Sequence, residues 1–341
     1  MTMKKKRIVW ADSLKGLLMV LVILGHAIQT VLAEGCFNDH VFNLIYSFHM
    51  PAFMAVSGYF AYRANNFLGN ACKRRSKQLL IPYLLWSLIS CLIGWNLSWD
   101  KIANLLLYPD RSFWFLWILF LISVIFVGCQ WVADKLKIDE LLSIGLSAIA
   151  LFGLMVVFEI RLFGFQFLSY YFLFYTLGYC IHRFSWLQIK NNVLVLGLFI
   201  LWSFMAWFWN MHELPLWMPA IPYVPTSLLQ YAYRGLTAVV ALLVIFGVSP
   251  KWLNGESNVN GCFKELGSIS LGLYVVHLLL LGYVRETVVS VMPNNPIWLQ
   301  MGTIFIILLV LSVGIVEMLK RNKWTAKLRI GLMQDTLSFC H

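Results

Sequence analysis

Charged residues are scarce in this chain. Lys, Arg, Asp and Glu make up 12% of its 341 residues, whereas about a quarter of a soluble globular protein is charged. Hydrophobic residues make up 60%, and the mean hydropathy is +0.76. This composition excludes an ordinary soluble domain and indicates an integral membrane protein. The net charge of +11 would suit a nucleic-acid binder, but the positions of the cations favour another explanation.

Motifs of several common enzyme and binding classes are also missing. The chain has no Walker-type G-x-x-x-x-G-K-[ST], no H-E-x-x-H and no G-x-S-x-G. Its seven Cys are scattered without a C-x-x-C pair, so we predict neither a disulfide framework nor a metal site. Paired carboxylates within apolar runs, typical of many proton-coupled carriers, are scarce as well.

Ten apolar runs approach the roughly 20 residues that a helix needs to cross a bilayer. We predict an all-α, polytopic integral membrane protein, with about ten transmembrane helices in a single domain over 1–341. The predicted spans are 8–32, 42–62, 78–98, 113–132, 141–158, 168–182, 192–209, 229–248, 266–288 and 298–319. The first run is too long for a cleavable signal and lacks a small-residue cleavage site, so we expect it to remain as a span.

The cations are distributed unevenly about these spans. With the amino terminus inside, twenty of the 26 Lys and Arg fall in predicted cytoplasmic segments, and six fall in outer loops or within spans. This asymmetry follows the positive-inside rule and predicts that both termini are cytoplasmic. It also accounts for the basic excess, so we expect the lipid bilayer as a partner and no nucleic acid.

Three ionisable side chains interrupt the first predicted span: Asp12, Lys15 and His26. An α-helix returns to within roughly 20° of the same face after eleven residues, so Lys15 and His26 share a face about 16 Å apart. Asp12 precedes Lys15 by three residues, a spacing at which side chains meet. Ionisable groups are costly inside a membrane and are therefore functional candidates by default.

A second histidine, His49, lies in the next predicted span at a depth similar to that of His26, roughly 10 Å below the outer end. The short connection makes the two helices neighbours, so their imidazoles could line one polar pocket. The alternative is that His49 only hydrogen-bonds between helices as packing. Pro51 should kink this span, while Ser57 and Gly58 permit close helix approach.

A run of four cations precedes the third predicted span, in what we interpret as a cytoplasmic loop: Lys73, Arg74, Arg75 and Lys77. One interpretation is a topology anchor or a patch for anionic lipids. The other is a phosphate cradle, because Arg side chains pair with phosphate oxygens bidentately. Coenzyme A, which is available on this side of the membrane, would be a suitable ligand.

Later spans add further polar and aromatic candidates. Arg111 and Trp114 open the fourth span, where Trp is also typical of an interfacial anchor. In the ninth span Tyr274 and His277 share a face at i and i+3, and His277 near mid-membrane must face the bundle interior. Arg234 is placed similarly in the eighth span. Each of these residues has either a structural or a functional explanation.

The chain resembles membrane acyltransferase family 3, and most nearly its branch typified by fucose 4-O-acetylases. The matching stretches are DSLKGLLMVLVILGH, FHMPAFMAVSGYF, KRRSKQLLIPYLLW, FWFLWILF and SISLGLYVVHLLL, in family order over nearly the whole length. The resemblance implies a ten-helix bacterial inner-membrane protein that moves an acyl group, usually acetyl, from cytoplasmic acyl-CoA to sugars of surface glycans.

The family pattern in the first span is Arg, ten residues, then a catalytic His, and it falls on Lys15 and His26. Lys keeps the charge but lacks the planar fork of Arg. The resemblance also carries the family's cytoplasmic basic cluster onto Lys73, Arg74 and Arg75.

The residues and the family resemblance together imply a membrane O-acyltransferase with His26 as general base, acetyl-CoA as co-substrate, a glycan hydroxyl as acceptor and no metal. The catalytic candidates are His26, His49 and Asp12; the donor-binding candidates are Lys15, Lys73, Arg74, Arg75 and Lys77; the acceptor-binding candidates are Ser57, Tyr59, Arg111, Trp114, Tyr274 and His277. A permease for sugars or glycan intermediates is the alternative, but it leaves the stripe from Lys15 to His26 unexplained. A structural scaffold explains none of the buried ionisable groups.

Overall fold

The computed structural model describes the chain outside its two ends and several connections. The described residues are 8–61, 68–93, 103, 107–108, 113–158, 162–185, 191–219, 221–255 and 257–321. They form α-helices joined by turns and short 3₁₀ or π segments. The helices are α1 (Val9–Leu32), α2 (His40–Tyr46), α3 (His49–Tyr59), α4 (Leu68–Arg75), α5 (Ile81–Ile93), α6 (Trp114–Leu136), α7 (Glu140–Phe158), α8 (Phe165–Arg183), α9 (Asn192–Trp207), α10 (Thr226–Trp252), α11 (Asn258–Ser268), α12 (Ser270–Val291) and α13 (Ile297–Arg321).

Six helical segments of the described residues are long and apolar enough to cross a membrane. They are Val9–Asn38, Leu68–Ile93, Trp114–Leu136, Thr226–Trp252, Ser270–Val291 and Ile297–Arg321, and two shorter apolar helices cover Glu140–Val156 and Asn192–Trp207. The prediction of an all-α polytopic membrane protein is therefore confirmed. Each of the ten predicted runs coincides with helix over most of its described length.

The second predicted span, 42–62, is helical on both sides of a two-residue break at Ser47 and Phe48. α2 ends at Tyr46 and α3 begins at His49. Pro51 lies in the first turn of α3, where its missing N–H removes no internal hydrogen bond, whereas its ring would clash with a preceding helical turn. The break therefore lies where the proline ring would meet the preceding turn, and the predicted kink at Pro51 takes the form of two short helices.

The cationic run before the third predicted span is helical, so its interpretation as a loop is wrong. Lys73, Arg74 and Arg75 end α4, and Lys77 lies in a π-helical turn, Ser76–Leu80, that leads directly into α5. Long unbranched side chains favour helix. The π turn falls just before Pro82, where the proline ring would otherwise clash with the carbonyl four residues earlier.

The ninth predicted span, 266–288, likewise begins too early. Residues up to Ser268 belong to α11, whose first turn is capped by the Ser257 side chain accepting from the Asn260 N–H. Only from Ser270 does α12 run on as the long apolar helix.

The described residues fall into two compact units. The central unit comprises Met54–Phe184, and the split unit joins Lys6–Phe53 to Ser185–Arg321. In the split unit α1 packs on α11, α12 and α13, and α9 packs on α10. In the central unit α6 packs on α4, α7 and α8.

In the split unit, α1 and α11 cross at two glycines with their backbones touching. A Cβ placed on Gly16 would lie 1.9 Å from the carbonyl oxygen of Phe263, and one on Gly267 would lie 1.7 Å from the carbonyl oxygen of Asp12. Small residues allow helices to approach this closely. The crossing fixes the part of α1 that carries Asp12 and Lys15.

The central unit contains a second glycine crossing, between α3 and α8. A Cβ on Gly58 would lie 1.9 Å from the carbonyl oxygen of Tyr175, and one on Gly178 would lie 1.9 Å from that of Ala55. The prediction that Gly58 permits close helix approach is confirmed.

Candidate active site

The first-span stripe begins with a buried ion pair. Lys15 Nζ lies 2.6 Å from Asp12 Oδ1, and the two side chains are 11% and 8% exposed. The i, i+3 spacing predicts this contact, and the structure confirms it. Pairing offsets the cost of removing both charges from water, so this end of the stripe is polar but close to neutral.

Three imidazoles gather in the split unit, around His26 further along α1. We call His26, His49 and His277 the imidazole cluster. The rings of His26 and His277 have centroids 5.4 Å apart. His49 meets the ring of Tyr46 edge-on with centroids 4.6 Å apart, and the Tyr46 hydroxyl donates to Gln29, which contacts His26. The sequence predicts the first two as neighbours, and the third comes from α12.

Exposure separates the members of the imidazole cluster. His277 is 0% exposed and His49 is 3% exposed, whereas His26 keeps accessible surface. The prediction that His277 faces the interior of the protein is confirmed. Within the cluster, His26 is the one imidazole that is only partly buried.

Hydrogen bonds fix the tautomers of the two buried imidazoles. His277 Nδ1 lies 2.8 Å from the carbonyl oxygen of Leu273, and His49 Nδ1 lies 2.8 Å from that of Ile45. A carbonyl oxygen only accepts, so each Nδ1 carries the hydrogen, and each neutral ring keeps a lone pair on Nε2. His277 Nε2 is buried without a hydrogen-bond partner among the described residues.

Two side chains that the sequence analysis missed surround His26. Gln29 Oε1 lies 3.2 Å from His26 Nδ1 and accepts a hydrogen bond of 3.2 Å from the hydroxyl of Tyr46. The i, i+3 spacing of His26 and Gln29 is visible in the sequence. Tyr46 comes from another helix, and no local pattern identifies it.

The four donor-binding candidates of the central unit do not form one surface. Lys73 and Lys77 are exposed and Arg74 is half-buried. Arg75 is 5% exposed, and its Nη2 lies 3.3 Å from the hydroxyl of Tyr175. Exposed cations can meet an anion in solution, whereas Arg75 is directed into the unit.

The acceptor-binding candidates are dispersed. In the central unit Tyr59 stacks on His182, with centroids 4.4 Å apart, and Trp114 stacks on Phe167 at 4.9 Å. In the split unit the ring of Tyr274 is 6.0 Å from that of His277. The central-unit candidate Ser57 lies on α3, one residue before the glycine crossing, and Arg111 falls outside the described residues.

The split unit also has an apolar cavity of about 730 Å³ between α1, α9 and α10. Leu14, Leu18 and Leu21 form its α1 wall, on a different helical face from Lys15 and His26. No group of three or more His, Cys, Asp or Glu within the described ranges is arranged to hold a metal ion.

Comparison with known proteins shows which family this chain is similar to. The family model Acyl_transf_3, described as an acyltransferase domain, matches residues 8–317. Nodulation protein NolL of Mesorhizobium japonicum is 32% identical over 183 residues, which cover 49% of this chain and 46% of that protein. Nodulation protein NolL of Sinorhizobium fredii is 32% identical over 156 residues, covering 41% and 42%. The chain thus spans less than half the length of these curated relatives, and no solved structure gives a significant match.

Proposed function

This chain belongs to acyltransferase family 3, and from that premise we propose that it is a membrane-embedded O-acyltransferase with His26 as its general base. The proposed donor is cytoplasmic acyl-CoA, with acetyl as the acyl group. The proposed acceptor is a hydroxyl of a cell-surface or lipid-linked glycan, and the proposed location is the bacterial inner membrane. The observation that carries the proposal is the partial exposure of His26 within an otherwise buried imidazole cluster.

The chemistry needs one group that takes a proton and returns it. In the proposed step the neutral His26 ring removes the hydroxyl proton as the hydroxyl oxygen attacks the thioester carbon. The tetrahedral intermediate then collapses, the carbon–sulfur bond breaks, and the imidazolium returns the proton to the departing CoA sulfur. Imidazole suits both directions of this transfer near neutral pH.

The other two imidazoles support His26 rather than replace it. A general base must come within hydrogen-bond reach of its proton, and His49 and His277 are buried. The one N–H of neutral His49 is donated to Ile45, so this ring favours the role of neighbour to the base over that of oxyanion donor.

For the donor we propose that exposed cations of the central unit hold the CoA phosphates. Lys73 and Lys77 are exposed and Arg74 is partly so, whereas Arg75 is directed to Tyr175 and would support them from behind. Lys15 is a further donor-binding proposal. Its ion pair with Asp12 reduces the charge it can offer, so we assign it a smaller share.

The test replaces His26 by Ala in the full chain in lipid nanodiscs. Labelled acetyl-CoA is the donor, and a glycan-lipid extract of the source cells is the acceptor. We expect kcat to fall about 100- to 10,000-fold, the usual worth of general base catalysis, with insertion and acetyl-CoA affinity unchanged. His40→Ala is the matched control, because His40 is an exposed histidine of the same unit.

A wild-type rate in His26→Ala would refute the assignment of the base. A wild-type protein that binds no acetyl-CoA would refute the acyltransferase proposal and favour the permease, which needs no acyl donor. Mass spectrometry of surface glycans with and without the protein gives the acceptor, as a lost acetyl increment.

A further inference from the structure

The side-chain oxygen of Gln29 joins two helices beside His26. It lies 3.2 Å from His26 Nδ1 and 3.2 Å from the hydroxyl of Tyr46. An amide oxygen only accepts hydrogen bonds, so the hydrogens lie on Nδ1 and on the phenol. A neutral imidazole has a single N–H, and with that hydrogen on Nδ1 the lone pair must be on Nε2.

We propose that Gln29 is the positioning residue for His26 and that Tyr46 holds Gln29 in place. Gln29 then fixes both the tautomer and the ring orientation, and Nε2 is the nitrogen that takes the acceptor proton. This inference rests on the proposed function, because it assigns the basic atom of the same imidazole. Catalytic histidines depend on such a partner at the nitrogen that does not react.

The residues packed around Tyr46 hold its ring so that the hydroxyl reaches Gln29. A Cβ on Gly25 would lie 2.9 Å from Cε2 of Tyr46, so the glycine next to His26 makes room for the phenol ring against α1. The ring of Tyr46 also stacks on Phe42 at 3.9 Å and meets His49 edge-on at 4.6 Å. Held on three sides, the hydroxyl has a defined direction toward Gln29.

A neutral partner suits a base inside a membrane. Among the described residues, the titratable groups near His26 are His277 from α12, His49 from α3 and Tyr46 from α2, and each is mainly uncharged at neutral pH in its ordinary form. A carboxylate in place of Gln29 would add a charge that is costly to bury. An amide oxygen orients the ring without that cost.

The test compares variants of Gln29 and Tyr46 in the assay used for His26→Ala. Gln29→Met keeps the length of the side chain but removes the acceptor oxygen. We expect kcat to fall about 10- to 100-fold, the range observed when the partner that orients a histidine ligand is removed, with KM for acetyl-CoA within twofold of wild type. Gln29→Glu, which keeps an acceptor oxygen, should recover at least part of the lost kcat. Tyr46→Phe should lower kcat less than Gln29→Met does.

A spectroscopic measurement reads the tautomer directly. In protein with ¹⁵N-labelled histidine, the His26 resonances are those absent from His26→Ala. We expect the Nδ1–H tautomer in wild type and in Gln29→Glu, and a mixture of tautomers in Gln29→Met. Gln300→Met is the control, because Gln300 is a buried glutamine of the same unit whose amide donates to the backbone oxygens of Met292 and Asn295.

The outcomes separate this inference from the proposed function. If Gln29→Met keeps wild-type kcat and the Nδ1–H tautomer while His26→Ala is inactive, the positioning role is overturned and the base stands. If His26→Ala is active, the proposed function itself fails. Equal losses of kcat in Gln300→Met and Gln29→Met would show a structural effect and overturn the inference. Should Gln29→Met fail to fold, Tyr46→Phe decides, since it removes one hydroxyl and leaves the ring in place.

Discussion

The split unit and the central unit use the same packing device but carry different polar groups. In the part of each unit that the structure describes, two glycines bring helix backbones into contact, Gly16 with Gly267 in the split unit and Gly58 with Gly178 in the central unit. Beside the first crossing lies a buried ion pair, and further along α1 lies the imidazole cluster. The central unit instead presents cations that grade from exposed to buried.

This difference follows from what burial allows. A neutral polar side chain can leave water when hydrogen bonds satisfy it, whereas a charge needs a partner or solvent. Groups suited to proton transfer can therefore lie deep in the split unit, and groups suited to binding an anion must stay partly exposed. The proposed catalysis and the proposed donor binding should consequently fail independently when one unit is altered.

The glycine crossings offer the largest effect on folding. We expect Gly16→Ala and Gly58→Ala each to destabilise the protein by about 1–3 kcal/mol or more, the usual cost of overpacking. In both cases the added methyl meets a backbone carbonyl, which cannot rotate away as a side chain can. The measurement is thermal unfolding in nanodiscs.

Two other helical glycines provide matched controls for the crossings. Gly282 in the split unit and Gly128 in the central unit have nothing within 4 Å of an added Cβ. Their replacement by Ala should be neutral or should stabilise the helix by up to about 1 kcal/mol. Equal effects on stability in all four variants would show that close backbone contact at the crossings is not what makes Gly16 and Gly58 sensitive to an added methyl group.

The next largest effect is expected when the exposed cations of the central unit are replaced. Replacing Lys73 and Lys77 together by Gln should weaken CoA binding about 3- to 10-fold at low salt, with a smaller effect at physiological salt, because exposed charges are screened. Stability should not change. Calorimetric titration with CoA is the measurement, and Lys137→Gln is the control, as an exposed lysine of the same unit.

Arg75 allows a buried cation to be compared with the exposed lysines of the same cationic run. It is buried and bonded to Tyr175, so Arg75→Met should lower stability more than the double lysine variant does. If the lysine variant binds CoA as tightly as wild type, the phosphate cradle is refuted and the cluster keeps only its role as a topology anchor.

The sequence predicts those features that depend on nearby residues. Apolar runs locate the helices, and the three-residue spacing predicts the ion pair of Asp12 and Lys15, because these signals are local. The pattern is incomplete at Pro51, where it predicts a kink but not two separate helices, and in the cationic run before Pro82, which is helical. There the apolar run gives no sign whether a proline begins, widens or bends a helix, and the surrounding backbone decides.

The candidate site is less accessible to such reasoning. His26 stands out because an imidazole in an apolar run is costly, but its ring contact with His277 joins helices far apart in sequence, and Tyr46 reaches it only through Gln29. Gln29 is adjacent on the same helix and carries no charge, so its role emerges only when the Tyr46 hydroxyl is placed against it. Exposure, which distinguishes His26 from its neighbours, is a property of packing that no local motif encodes.

The smallest predicted effect concerns an ion pair between α7 and α8 in the central unit. Arg183 Nη1 lies 2.9 Å from Glu140 Oε2, with side chains 27% and 24% exposed. Arg183→Met should cost about 0.5–1 kcal/mol of unfolding free energy, and less at high salt, because partly exposed pairs are weak and screened. Thermal unfolding at low and high salt measures this, with acyl transfer and CoA affinity expected at wild-type values. A fall in CoA affinity would instead make Arg183 part of the cationic binding surface, and the central unit would then bind its anion at the end of α8 as well as at α4.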